Sequence, residues 1–202
     1  DEVLLKLQGG ATITGNLTLQ RDHSVANLRV AGLNPAALDS RLRNARLHGS
    51  IQLRGDANAQ HGKLNLTGTA LQLSAELQRN GDKLTLQQLS LTSAHAELSG
   101  TGELNLGQLQ PYNFNGQLRH FDLTAFVPRA PHTDLNATLM VSGALQPQAN
   151  GKVDFEIRDS HLAQQPISGQ GHVSYQDLAH GKGELLIKVG DNRLNLNGSY
   201  GK

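Results

Sequence analysis

The chain predicts an all-β fold, a long antiparallel sheet with one or two very short helices. Three observations carry that expectation. Apolar and polar residues alternate through most of the 202 residues, and alternation with period two gives a strand one apolar and one polar face. Turn residues break the alternation at short intervals, as in a meander of hairpins. Leu outnumbers Val and Ile together by more than two to one. Tightly fitted strand cores favour stiff β-branched side chains, so a Leu-rich face suggests a softer apolar surface. An ordinary Leu-rich sandwich core is the competing reading.

Taken in order, the first unit opens with the strand residues Asn27-Leu28-Arg29. A helical stretch Leu33 to Leu38 follows, in which Asn34 is a good N-cap and Pro35 suits the first helical position. Leu47 to Gly55 and Gly62 to Thr67 alternate again. Asn80-Gly81-Asp82 supplies the positive φ of a tight hairpin. Leu84-Thr85-Leu86-Gln87 and Glu103-Leu104-Asn105-Leu106 continue the rhythm. The second unit repeats the order. Gln117-Leu118-Arg119 comes first, then Asp122 as a cap for Leu123 to Val127, which Pro128 ends. Leu135 to Gly143 matches Leu47 to Gly55 in register at Leu47, Ile51, Leu53 and Gly55. Asn150-Gly151 and Gly190-Asp191-Asn192 read as further hairpin turns, around Asp154-Phe155-Glu156-Ile157 and Arg193-Leu194-Asn195-Leu196. The expectation is one continuous sheet over 1–202, built of two degenerate units at about 11–106 and 114–201 in which each unit covers its neighbour's apolar face. The chain starts in strand rhythm and stops just after a strand, as a piece of a longer protein would.

Composition narrows the function. A formal net charge of +1 and 3% aromatic residues leave neither the basic stripe nor the stacking platforms of a nucleic-acid binder. With no cysteine, disulfides and thiolate metal sites are excluded. No run approaches the roughly 20 apolar residues of a membrane helix. Nine histidines invite a metal hypothesis, but none has a His-x-x-x-His spacing, and most stand in polar slots or turns. Asp159-Ser160-His161 names a triad in adjacent letters, yet neighbours in a strand point apart. Gly100-Thr101-Gly102 and Gly169-Gln170-Gly171 lack the third glycine and the helix of a phosphate loop, and read as strand glycines where a sheet bends or bulges. The sequons at Asn16, Asn65, Asn136 and Asn197 read as outward polar residues. No catalytic constellation, and hence no enzyme and no cofactor, is expected.

The second unit resembles the TamB family and its relatives in the AsmA-like group. The resemblance rests on Phe121 to Phe126, Leu135 to Gly143, Gly151-Lys152-Val153-Asp154-Phe155, Asp159 to Ala163, Pro166 to Gly171 and Gly190 to Gly201. Gln164 and Gln165 depart from it, standing where a small or glycine residue precedes the proline. The resemblance implies a sheet curled into an open trough, polar outside and apolar inside (a β-taco). It implies a full-length protein anchored in the inner membrane of a Gram-negative bacterium and spanning the periplasm. It also implies an outer-membrane partner, the Omp85-type barrel TamA, met through a part of the protein outside this piece. The group is linked to phospholipid transport, to outer-membrane biogenesis and to assembly of autotransporters.

Together these expectations describe a non-enzymatic conduit for phospholipid acyl chains. The inward set is Leu64, Leu66, Leu84, Leu86, Leu104, Leu106, Leu139, Val141, Phe155, Ile157, Val173, Leu185, Ile187, Val189, Leu194 and Leu196. Their neighbours Glu156, Lys188 and Asn195 should face water. The alternatives are a closed core for the same residues, and a scaffold that adds a client's strand to an exposed edge. Exposed edges would also let the piece associate with itself.

Overall fold

Alternating sequence becomes strand nearly everywhere in a computed structural model of the chain, which describes residues 2–7, 10–20, 22–37, 39–40, 42, 44–177 and 179–201. The first seven strands are β1 (Glu2–Lys6), β2 (Thr12–Leu19), β3 (Ser24–Leu33), β4 (Leu47–Gly55), β5 (Ala59–Thr67), β6 (Gln72–Asn80) and β7 (Lys83–Ser93). The second seven are β8 (Ala96–Asn105), β9 (Pro111–Phe121), β10 (Thr133–Ala144), β11 (Asn150–Leu162), β12 (Gln165–Asp177), β13 (His180–Val189) and β14 (Asn192–Tyr200). The strands follow chain order through a fourteen-stranded sheet, and the resolved pairings are antiparallel. The described helices are two single 3₁₀ turns, Pro35–Ala37 and Leu123–Ala125. The all-β antiparallel expectation therefore holds.

Contacts divide the chain into two compact units, Asp1–His95 with Leu123–Ala130, and Ala96–Asp122 with Pro131–Lys202. The first unit has a closed core. Val30, Leu47, Leu66 and Leu71 are buried together, with Ile13, Leu33, Ala45, Ile51, Leu64, Leu73 and Phe126 packed against them. The loop between β3 and β4 is shaped by Asn34, whose Oδ1 accepts from the Ala36 amide at 3.1 Å and from the Ala45 amide at 3.3 Å. The first bond is the expected N-cap; the second closes the loop over the core. Leu38, expected at the end of that helix, lies outside the described residues.

Phe126 reaches the first unit's core from far along the chain. Its segment leaves the second unit after Asp122, and the chain rejoins that unit at Pro131. The two ends are pinned together: the Thr133 amide donates to Asp122 Oδ1 at 3.2 Å, and Thr133 Oγ1 donates to the Phe121 carbonyl at 3.0 Å.

Two expected hairpin turns are present. Gly81, between the paired Asn80 and Lys83, has φ +56°, and Gly190, between Val189 and Asn192, has φ +57°. Glycine first with positive φ is the pattern of a type II′ turn. Asn150-Gly151 is a correction: both residues lie inside β11, where Gly151 pairs with Gly143 and Tyr175. Its glycine serves side-chain packing, not a turn. The reverse happens at Ala163-Gln164. This pair joins β11 to β12 between the paired Leu162 and Gln165, with φ +48° and +69°. Positive φ at both central positions is the type I′ pattern, here without its usual Asn-Gly.

Candidate functional site

The second unit carries an uninterrupted apolar face. Residues directly opposite in antiparallel strands share a face, so the register reads as transverse rows from β8 to β14. One row runs Leu98, Leu118, Ala137, Ile157, Gly169, Ile187, Leu194. The next runs Gly100, Gly116, Leu139, Phe155, Gly171, Leu185, Leu196. A third runs Gly102, Phe114, Val141, Val153, Val173, Gly183, Gly198. The fourth runs Leu104, Tyr112, Gly143, Gly151, Tyr175, Gly181, Tyr200. No charged residue enters these rows.

The glycines in the rows make room for aromatic rings. A Cβ at Gly171 would lie 2.5 Å from the Phe155 ring, and one at Gly100 would meet the Phe114 ring. Gly100, Gly102 and Gly171 occupy regular ladder positions, which corrects their reading as bends or bulges. Rings that lie down on glycine keep the face low and smooth, where standing rings would break it into compartments. The sequence signal was present as glycines two apart opposite an aromatic residue.

All three tyrosines of the chain stand in the fourth row. Tyr112 and Tyr175 lie across Gly143 and Gly151 until their hydroxyls meet at 2.5 Å, and the Tyr112 hydroxyl also donates to the Asn150 carbonyl at 3.2 Å. Burial, then the Tyr175 hydroxyl beside it, pushes the Tyr112 phenol up to about 12. Both keep the hydroxyl protonated.

The opposite face is polar. Row by row it carries residues such as Gln117, Thr138, Glu156, Gln170 and Asn195, or Lys152, Ser174, Lys182 and Ser199. Met140 and Leu186, 56% and 40% exposed, are its apolar exceptions. A depression of ≈ 610 Å³ opens among side chains that include Asp154, Glu156, His172 and Glu184 of the polar face. These groups are paired: His172 Nδ1 lies 2.5 Å from Asp154, Arg158 binds Glu156 at 2.6 Å, and Asn197 donates to Glu184 at 3.2 Å.

The expected inward residues fall into three sets. Leu66 is buried, and Leu64 packs beside it, in the first unit's core. Leu84, Leu86, Leu104, Leu139, Val141, Phe155, Ile157, Val173, Leu185, Ile187 and Val189 are half-buried. Leu106, Leu194 and Leu196 are exposed; Leu106 lies just past the end of β8. Of the expected outward residues, Lys188 and Asn195 are exposed, whereas Glu156 is half-buried beside Arg158.

Ser160 is 2% exposed and spends its hydroxyl on backbone: it accepts from the Asn136 amide at 2.7 Å and contacts the Arg158 and Asn136 carbonyls at 2.8 and 3.2 Å. Asn136 faces two bulges. Its Oδ1 accepts from the His120 amide at 3.0 Å, and its Nδ2 donates to the Asp159 carbonyl at 2.8 Å. His120 and Asp159 have φ +46° and +45°. The Asp159-Ser160-His161 letters thus encode a bulge anchor, and the Asn136 side chain bonds the backbone of both bulges. Among the described residues no group of three or more His, Asp or Glu is placed to hold a metal ion.

These features define a class: an antiparallel meander whose distinguishing surface is a long, smooth apolar face. The family described as "TamB, N-terminal domain" matches residues 48–202, and the chain belongs to it. No curated protein and no solved structure matches the chain. The TamB family works with TamA in the translocation and assembly module of the Gram-negative cell envelope.

Proposed function

We propose that the apolar face of this chain shields phospholipid acyl chains as they cross the periplasm between the inner and outer membranes. The observation that carries the proposal is the set of four charge-free transverse rows in the second unit. Burial of each CH₂ contributes about 0.8 kcal/mol, so acyl chains partition onto such a face without any catalyst or cofactor. Laid-down rings and Leu side chains offer no deep pocket, and conduction needs favourable entry without a trap. The contact set is centred on Leu139, Val141, Phe155, Ile157, Val173, Leu185, Ile187, Val189, Leu194 and Leu196, while Leu64 and Leu66 support the structure from a core. The full-length protein is anchored in the inner membrane and meets TamA through another part of its chain.

The test is photo-crosslinking in living cells, with a reactive amino acid at Ile187 and a paired control at Lys188. Phospholipid adducts at Ile187 alone support the conduit. Adducts at neither position in a folded protein overturn it.

A further inference from the structure

The second unit holds a feature that an acyl conduit alone does not require. At one end of the strands, two neighbouring depressions of ≈ 530 and ≈ 500 Å³ share a design. The first is lined by Lys152 and Tyr175, the second by Lys182 and Tyr200, and Ser174 and Gln176 border both. Each therefore joins a cation and a hydroxyl from the polar face to a phenol from the apolar face. Gly151 and Gly181 also line them and let the tyrosines lie close to the backbone there: a Cβ at Gly151 would meet the Tyr112 and Tyr175 hydroxyls, and one at Gly181 the Tyr200 ring.

The charges are available. Neither Lys152 nor Lys182 has an ion-pair or hydrogen-bond partner among the described residues, in contrast to Lys63, which binds Glu76 at 2.6 Å. The nearby carboxylate of Asp177 is already engaged by the amides of Ala179 and His180 at 2.7 and 2.8 Å and by the His180 ring at 2.9 Å. The register sets the two lysines two strands apart with Ser174 between them. That is about 10 Å at the usual strand spacing, close enough for one phosphate to pass from one to the other.

We propose that this strand end is a line of phosphate stations for glycerophospholipid head groups. A lysine and serine bind the phosphodiester, the tyrosine row marks the ester level, and the acyl chains lie on the apolar rows beyond it. Amphipathic tyrosine suits such a boundary because its ring is apolar and its tip is polar. Lysine binds phosphate as a point charge with rotatable donors, which permits handover along the row without a fixed geometry. This inference rests on the acyl-chain reading and adds to it the orientation of the cargo.

The test compares two probes with the same labelled acyl chains, dioleoylphosphatidylglycerol and dioleoylglycerol, which differ in the phosphate head group. Fluorescence titration of the whole chain should give tighter binding of the phospholipid. The pair K152E/K182E should weaken the phospholipid about fivefold to tenfold, the range for partly exposed charge contacts, and leave dioleoylglycerol unchanged. K152Q/K182Q should give a smaller loss in the same direction. Glycerol 3-phosphate in large excess should not displace the lipid. Equal binding of both probes, insensitive to either lysine pair, overturns the stations while the conduit stands, provided Ile187→Glu abolishes both. Full displacement by glycerol 3-phosphate would make this a site for free phosphate compounds and also overturns the proposal. If the unaltered chain binds neither probe, the conduit reading falls and the stations fall with it.

Discussion

Gly143 and Gly198 show how much one side chain can mean on this sheet. Both face the apolar side, but a Cβ at Gly143 would collide with the Asn150 backbone carbonyl and come within 2.8 Å of the Tyr112 hydroxyl, whereas Gly198 has nothing within 4 Å. Gly143→Ala should therefore destabilise by about 2 kcal/mol or more, as overpacking against backbone does. Gly198→Ala should be neutral or stabilise by up to about 1 kcal/mol through the unfolded chain. Urea titration of the two variants checks both. Asn136 is the matching polar case. Asn136→Ala removes two cross-bulge bonds next to a buried Ser160, and loss of about 2 kcal/mol is expected, at roughly 1 per bond. A change below about 0.5 kcal/mol in the same titration would show that the bulges hold without it. Neither role was legible in the local sequence, where Asn136 looks like any outward polar residue of a strand.

Titration belongs to this scale too. Hydrogen bonds hold three carboxyls below the usual carboxylate range: Asp56 by the Ala59 and Asn58 amides, Glu76 by the Lys63 ammonium, and Asp177 by the His180 ring and the Ala179 amide. A depressed folded value contributes stability above the ordinary value near 4, and that contribution is lost as pH falls through the folded value. Tyr112 works in the opposite sense. Its folded value of about 12 lies above the ordinary 10, so stability is complete below about pH 10 and drains as pH rises toward 12. Unfolding midpoints should thus fall below about pH 4 and above about pH 10. The chain has no Trp, so phenolate absorbance reads the tyrosines cleanly. One of the three should ionise well after an ordinary phenol, and Tyr112→Phe should remove that late step.

At the level of elements, strand existence was the most legible property, because alternation reports directly which faces are wet. Hairpins were legible where glycine supplies the positive φ, as at Gly81 and Gly190. They were illegible at Ala163-Gln164, since neither residue favours the left-handed region and nothing local announces a turn there. The flanking pairing forces the conformation, with the Ala163 amide also donating to the His132 carbonyl at 2.9 Å. Left-handed backbone costs about 1–2 kcal/mol at an ordinary residue, so A163N/Q164G, which restores the preferred type I′ pair, should stabilise by about 1–2 kcal/mol in thermal or urea unfolding. No gain would mean that neighbouring strands do not hold this turn in its present geometry. The departure of Gln164 from the family pattern thus has a physical correlate: it sits where glycine would be easiest.

At the scale of the whole molecule, the packing of Phe126 is the feature that sequence order hides. Its segment reads as the short helix of the second repeat, yet the side chain completes the first unit's core. Phe126→Ala should cost about 2–4 kcal/mol, toward the lower end for a half-buried ring, and should lower amide-exchange protection in β3 to β5 more than in β11 to β13. Equal loss in both units would argue against a core role confined to the first.

By itself the sequence determined the fold class, the two faces, the capped loop at Asn34, the glycine turns and the family, because each follows from short-range periodicity or local backbone preference. The tertiary structure alone decided the strand register, the bulges around Asn136, the aromatic rings laid on glycines, the tyrosine row and the division between a closed core at Leu66 and a half-exposed face at Ile187. The physical reason is the same in each case. A period of two states that a residue faces inward but not what lies opposite it, and opposition in a sheet depends on hairpin lengths and bulges that accumulate from strand to strand.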